Sequence, residues 1–339
     1  MTSTALFPSD LLNRHTIRRV PVVVLHVHSR CNCRCVMCDI WKAKETQELS
    51  HERLSSLLPD FQNLGVRWVV LTGGEPLLHS DLPSICESLH AAGIRVTLLT
   101  TGLLLSRYAT NAAYLFDEII VSIDGPPEIH DQIRRVPNGY RRLAEGLEAI
   151  RVNAPNLPLR ARMTVQKANH RHLREATHSA KALPLNSISF LAADLTSTAF
   201  NRDFLWPVER QNEIGLSPEE VSSLEIEIEL LIAEFEPDIA QGFVAENETK
   251  LRRIVQHFRA HLGQCPPTPP RCNAPWKSAV IELDGSVRPC FFHQQFGNAD
   301  REGLSMAINN PAALLFRSEL DIESNSTCQR CVCSLNYRD

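Results

Sequence analysis

Val22-Val-Val-Leu-His26-Val-His28-Ser-Arg-Cys31-Asn-Cys33-Arg-Cys35-Val-Met37-Cys38 runs a short β-branched stretch straight into four cysteines within eight residues. The apolar run is too short for a helix and rich in valine, so it predicts a buried strand whose exit loop carries the thiols. Similar runs recur at Trp68–Thr72, Ile94–Leu99, Ile119–Ile123, Arg160–Val165 and Ile188–Ala192. Between them lie segments of helical period, such as Glu52–Phe61, Leu82–Ala92 and Tyr140–Arg151. Six strands alternating with helices predict an α/β fold with a parallel sheet and right-handed crossovers. Such folds collect their ligands at the carboxyl ends of the strands, which is where the first thiols fall.

The chain of 339 residues is long enough for two units, or for one barrel with an appendage. With 43% hydrophobic and 22% charged residues it has a globular balance. A net charge of −4 argues against nonspecific nucleic-acid binding, which needs a basic surface. No apolar run approaches the ~18 residues of a membrane span, and no secretory signal opens the chain, so a cytoplasmic setting is expected. Eleven cysteines, odd in number and clustered, point to metal or redox chemistry rather than disulfides.

The chain divides by composition into an extension (1–21), the strand–helix body (22–200), a helical insertion (201–264) and a cysteine-rich end (265–339). Cys265-Pro-Pro-Thr-Pro-Pro270 is a stiff boundary, because proline fixes φ and removes donors. Ser217-Pro-Glu-Glu220 opens a mostly charged helix. The insertion reads as a cover over the barrel mouth, or as a solvated helix pair that only packs.

Cys31, Cys35 and Cys38 have the spacing CxxxCxxC. Three thiolates on one loop can cap three irons of a [4Fe–4S] cube and leave the fourth iron open. Zinc is the alternative, but it takes four protein ligands in structural sites, and no second pair follows nearby. Cys33 is out of register and is read as a non-ligand. At the end of the second run stands Gly73-Gly74-Glu75-Pro76. Two glycines permit close backbone approach to a ligand, and Glu75 offers an acceptor for an ammonium group.

Together these motifs make the chain resemble the radical S-adenosylmethionine (SAM) enzymes. The resemblance implies a partial (β/α)6 barrel in which Cys31, Cys35 and Cys38 hold a [4Fe–4S] cluster whose open iron chelates SAM. It implies adenine contact by Met37, a departure from the usual aromatic residue there. It also implies SAM contacts from Gly73, Gly74, Glu75 and Pro76, from Thr101 in Thr100-Thr101-Gly102, and from Ser122 and Asp124 in Val121-Ser-Ile-Asp-Gly125. His130-Asp131-Gln-Ile-Arg134 fits the same pattern. Strand alternation puts Arg160, Arg162 and Thr164 on one face of the fifth strand. If that face is the lumen, Arg162 is a candidate to bind a carboxylate bidentately. Asp194, after the sixth strand, is a candidate substrate contact.

In the cysteine-rich end, Ala279 to Cys290 reads as a β-hairpin with a two-residue Asp284-Gly285 turn. It brings Cys272 and Cys290 together, and Cys328-Gln-Arg-Cys331 adds a pair that suits zinc or a cube equally. The segment is similar to the twitch region, a short form of the SPASM domain, which implies one auxiliary [4Fe–4S] cluster on Cys272, Cys290, Cys328 and Cys331. Cys333 rivals Cys331 for the last position.

An electron from a flavodoxin- or ferredoxin-type donor would then split SAM into methionine and a 5′-deoxyadenosyl radical. The extension before the first strand is short, which favours a small sugar or nucleoside over a peptide. The layout is similar to cytosylglucuronate decarboxylases, which implies radical decarboxylation of a nucleoside uronic acid. A twitch-type dehydrogenase or epimerase of an aminocyclitol or sugar, and a peptide-modifying maturase, are the alternatives.

Overall fold

The computed structural model describes residues 14–202, 204–333 and 335–338. Most of the extension 1–21 therefore lies outside the described residues. The six predicted strands form as β1 (Val22–His28), β2 (Trp68–Gly73), β3 (Arg95–Thr100), β4 (Glu118–Ser122), β5 (Leu159–Val165) and β6 (Ser187–Ala192). All neighbours among them pair in parallel. The helices α1 (His51–Asn63), α2 (Leu82–Ala91), α3 (Pro127–Arg134), α4 (Gly139–Asn153) and α5 (Leu173–Lys181) supply the crossovers except that from β3 to β4, which is made by short turns at Leu105–Tyr108 and Ala112–Leu115.

Alternation sorts the sheet into two faces. One face, with Leu25, Leu71, Leu98, Val121, Met163 and Phe190, is buried in the core. The pairings Val24–Val70, His26–Thr72, Ser122–Arg162 and Arg162–Ser189 define the other, more polar face. Its lower end is plugged. Trp68 Nε1 donates to Thr97 Oγ1 at 2.8 Å, Thr97 to Glu118 Oε2 at 3.0 Å, and Arg160 pairs with Glu118 at 2.7 Å. The upper end, where the strands finish, is left for chemistry.

The cysteine-rich end is not a detached unit. Here β7 (Ser278–Ile281), β8 (Ser286–Arg288) and β9 (Gly297–Asn298) extend the same sheet, in the order β6-β5-β4-β3-β2-β1-β7-β8-β9. The sheet is open, with β6 and β9 at its ends. β7 lies parallel to β1, so Val24 meets Val280 and Leu25 meets Ile281. From α1, Arg53 donates to Glu282 O at 3.0 Å and pairs with Asp300 at 2.8 Å, and Asp60 accepts from Leu304 N at 2.6 Å.

The hairpin corrects one expectation. Glu282 N donates to Ser286 O and Gly285 N to Glu282 O, each at 3.0 Å, so the loop has three residues, Leu283-Asp284-Gly285. Gly285 has φ +85°, the left-handed position that closes a three-residue hairpin loop.

The insertion forms α6 (Pro218–Glu234) and α7 (Glu248–His261) as its long helices. Ser217 and Glu220 make the reciprocal cap predicted from sequence. These helices do not roof the strand ends. They pack on α5 and β6, tied by Arg174–Glu227 at 3.1 Å, and the short helix Glu236–Gln241 between them adds Lys181–Asp238 at 2.6 Å. Segment 243–245 runs beside β6, where Ile188 N donates to Phe243 O and Ala245 N to Ile188 O. The insertion thus covers the edge of the sheet, where open strand polar groups would otherwise remain. What reaches over the strand ends is the segment from Asp194 to Arg210.

Candidate functional site: two thiol centres at the ends of the strands

The first thiol loop leaves β1 and is held from two sides. From α3, the carbonyls of Arg134 and Ile133 accept from Arg34 N and Val36 N, each at 3.1 Å. From β2, Gly74 N donates to His28 O at 2.7 Å and Glu75 N to Arg30 O at 2.8 Å. This close crossing is what the glycines serve. A Cβ on Gly73 would stand 2.5 Å from His28 O, and one on Gly74 only 2.0 Å from Arg30 O. The glycines therefore meet the backbone of the thiol loop, a different reason from the ligand contact expected from sequence. Gly74→Ala is expected to cost about 3 kcal/mol or more, because the obstacle is backbone and cannot swing aside. Chemical denaturation, with iron content of the folded fraction, checks this.

Glu75 also differs from expectation. Its carboxylate is fully buried and accepts from Leu77 N (3.0 Å), Thr100 Oγ1 (2.7 Å), Thr101 N (2.7 Å) and Thr101 Oγ1 (2.6 Å). With its lone pairs so engaged, the side chain buckles the end of β2 to the end of β3. Pro76 is buried beside it and starts a short 3-10 turn. Thr101 Oγ1 also lies 3.0 Å from Asn32 Oδ1, so this buckle reaches the thiol loop.

Cys31, Cys33, Cys35 and Cys38 pack with Met37 and Leu103. Hydrogen bonds with Cys31 and Cys35 drive the Cys33 pKa upward, and burial adds to them. Cys35 is the opposite case. The hydrogen bond from Cys33 and the nearby Arg134 guanidinium lower it to about 7. Burial pushes Cys38 up to about 12. Arg134, whose motif in the sequence suggests no role for it, donates to Cys35 Sγ at 3.4 Å. It is held there by a buried ion pair to Asp124 at 2.5 Å, while Asp124 Oδ1 accepts from Thr164 N at 3.2 Å. Asp124 is thereby engaged with protein groups on both oxygens, and its place is behind the thiols. Ser122, two residues earlier, faces the open side opposite Arg162.

Arg162 does lie on the polar face, as expected. Arg162 is exposed, its Nε reaches Ser189 Oγ at 3.4 Å, and its charge acts on Glu246 without an ion pair inside contact range. Asp194 Oδ2 is buried in an ion pair with Arg202 at 2.6 Å and also accepts from Ser197 Oγ at 2.6 Å, while the residue lines an open cleft with Thr196 and Phe292. Sequence gave no signal for Arg202. Its guanidinium stacks 3.6 Å from the Trp206 ring and donates to the carbonyls of Asp194 (2.9 Å) and Met37 (3.5 Å). Trp206 Nε1 donates to Asp39 Oδ2 at 2.8 Å. This strap presses the end of β6 onto the thiol loop.

The second centre gathers five thiols. Burial pushes Cys290 up to about 12, with Cys333 and Cys272 adding to it. Cys328 rises to about 11 by burial with Cys272 beside it, and Cys331 rises by burial with Cys333, Cys290 and Cys272 near. His293, another residue that the sequence did not single out, sets Nε2 3.3 Å from Cys328 Sγ. Cys331 is half-buried and Cys333 exposed.

Among the described residues no three Cys, His, Asp or Glu side chains converge on a single ion. A cube, whose irons sit at separate corners, asks for several thiols in one neighbourhood, and Cys31, Cys35 and Cys38 pack together while Cys331 has Cys333, Cys290 and Cys272 near it. Asn32 Nδ2 on the first loop and His26 Nε2 on the polar face are buried without partners, which suits a polar ligand between them.

Comparison with known proteins decides the family. Residues 25–176 match the radical SAM superfamily, and residues 272–332 match the SPASM iron–sulfur cluster-binding domain. The chain carries a radical SAM domain followed by a SPASM domain. A radical SAM domain implies a [4Fe–4S] cluster and SAM, and a SPASM domain implies auxiliary iron–sulfur binding. Among curated proteins, the Fe-coproporphyrin III synthase of Methanosarcina barkeri is 30% identical over 49% of this chain and 42% of its own length. The PqqA peptide cyclase of Ruegeria pomeroyi is 26% identical over 80% of this chain and 67% of its own. The chain spans about half the length of several curated relatives that it matches. A solved structure described as native anSMEcpe with bound AdoMet and Cp18Cys peptide shares the fold. Its TM-score is 0.64 at 18% identity, covering 92% of this chain and 86% of that one. No helix among the described residues is long and apolar enough to cross a membrane.

Proposed function

We propose that the protein is a radical SAM enzyme that abstracts hydrogen from a sugar-type C–H bond of a small, carboxylate-bearing intermediate. The observation that carries this reading is the polar face ending at the thiol loop, where Arg162 forms no ion pair among the described residues. When bound, the SAM-ligated cluster supplies a 5′-deoxyadenosyl radical. Cys31, Cys35 and Cys38 are proposed to hold that cluster, with Arg134 positioning Cys35 and Met37 facing the adenine. Ser122 and Thr101 are proposed to orient SAM, and Arg162 to clamp the substrate carboxylate bidentately. The Arg202–Trp206 strap would exclude water from the reacting atoms. Radical decarboxylation of a nucleoside uronic acid, such as cytosylglucuronic acid, is the favoured net reaction, because it uses a carboxylate held at Arg162. The second reading is a peptide substrate, favoured by the PqqA peptide cyclase match along most of the chain.

Anaerobic reconstitution with iron counting, then SAM and a strong reductant, tests the class. About eight irons per chain and 5′-deoxyadenosine are expected, for two four-iron cubes. No 5′-deoxyadenosine sinks the proposal, and about four irons sink the auxiliary cluster. Release of CO2 from cytosylglucuronic acid, reduced at least tenfold in KM terms by Arg162→Gln, tests the substrate; a bidentate charged bond is worth that much. Cys331→Ala is expected to lower iron by about four and Cys333→Ala to leave it unchanged. The reverse result would assign the last ligand to Cys333.

A further inference from the structure

Helix α7 carries Arg253, His257 and His261 at intervals of four residues, so they share one stripe. That stripe does not face solvent alone. It lines a small pocket with Gln256, Thr196 from the strap and Arg330 from the Cys328–Cys331 turn. Two guanidinium groups and two imidazoles thus line one pocket that has no acidic lining residue among the described residues. His257 is bound to the backbone of Ala193, while its Nε2 is buried with no partner. Arg253 donates to Cys331 O at 2.7 Å, which ties the pocket to the second thiol centre.

We infer that this pocket is an oxyanion site that takes a phosphoryl group, bound between Arg253, His257, His261 and Arg330. Arginine forks and imidazole donors are the groups that recognise phosphate oxygens. Burial first, and then His261, Arg253 and Arg330, lower His257 to about 4, so its imidazole would meet an anion as a neutral hydrogen-bond donor. Thr196 and Arg330 also line the adjoining open cleft with Asp194, Phe292 and Cys331. The phosphoryl group can therefore belong to a phosphate ester whose organic part lies in that cleft, or to free phosphate.

Calorimetric titration of the iron-loaded, SAM-bound protein tests the site. Inorganic phosphate is expected to bind at one site per chain. Arg330→Gln, at an exposed position, and His257→Gln should each weaken it about tenfold or more, without changing iron content or SAM affinity. Glucose 6-phosphate run in parallel identifies the source. Tighter binding than phosphate, lost in the same variants, assigns an ester, whereas weaker binding assigns the free ion. No binding of phosphate, or parental affinity in both variants, overturns the inference. Loss of SAM cleavage with phosphate binding intact would instead count against the enzyme proposed above.

Discussion

Replacing Cys35 by serine is expected to empty the first centre while leaving the second loaded, so that iron falls from about eight to about four per chain. Formation of 5′-deoxyadenosine should fall to the level without enzyme. Cys35 is buried in the loop, accepts from Arg134 and is the thiol lowered to about 7, so it already leans toward the thiolate that binds iron. The serine hydroxyl matches it in shape but is a far harder ligand. Cys33→Ser is the matched control, at a thiol two positions away and out of register, and should keep the iron. Retention of all the iron in Cys35→Ser, or its loss in Cys33→Ser, would show that the loop uses another set of sulfurs. Because the thiols of the second centre flank the β7–β8 hairpin and sit on the turn at Cys328, its spectroscopic signal should survive the change and report that the sheet is intact.

Arg134→Met should destabilise the fold by about 3–5 kcal/mol, the usual cost of removing one partner of a buried ion pair. Asp124, with no exposed surface, would be left with only the Thr164 amide. The same change removes the guanidinium from Cys35, so the thiol pKa should rise and iron loading should slow even where the protein stays folded. Arg134→Lys is expected to restore most of the stability and less of the loading. A lysine supplies the charge for Asp124 but not a planar fork that also reaches Cys35 Sγ. Urea denaturation gives the first quantity and the rate of cluster incorporation the second. Equal loss in both variants, on both readouts, would reduce Arg134 to a packing residue.

Much of this was open to the sequence. Strands are stated by β-branched runs of length five to seven, and their order by the helices between them, so all six came within about two residues of their places. The thiols were legible because metal chemistry restricts both residue type and spacing. The roles of Glu75, Asp124 and Asp194 were not. Each is an acid at the end of a strand, where sequence suggests a ligand contact. Glu75 and Asp124 commit both oxygens, and Asp194 its Oδ2, to donors such as Thr101, Arg134 and Arg202, which only folding brings near. The glycines Gly73 and Gly74 are legible as sites of close approach, but what approaches is the backbone of His28 and of Arg30, residues more than 40 positions away.

By itself the sequence determined the α/β class, the strand positions, the two thiol centres and the capped start of the insertion helix. Each of these rests on local pattern, on side-chain chemistry or on spacing along one loop. Tertiary structure alone decided that β7 joins β1 in one sheet, that α6 and α7 guard the edge of β6, and that Arg202 straps the mouth. It also gathered Arg253, His257, His261 and Arg330 around one pocket. These depend on pairing between segments up to hundreds of residues apart, and the energy of such contacts is set by burial and geometry that no short stretch encodes.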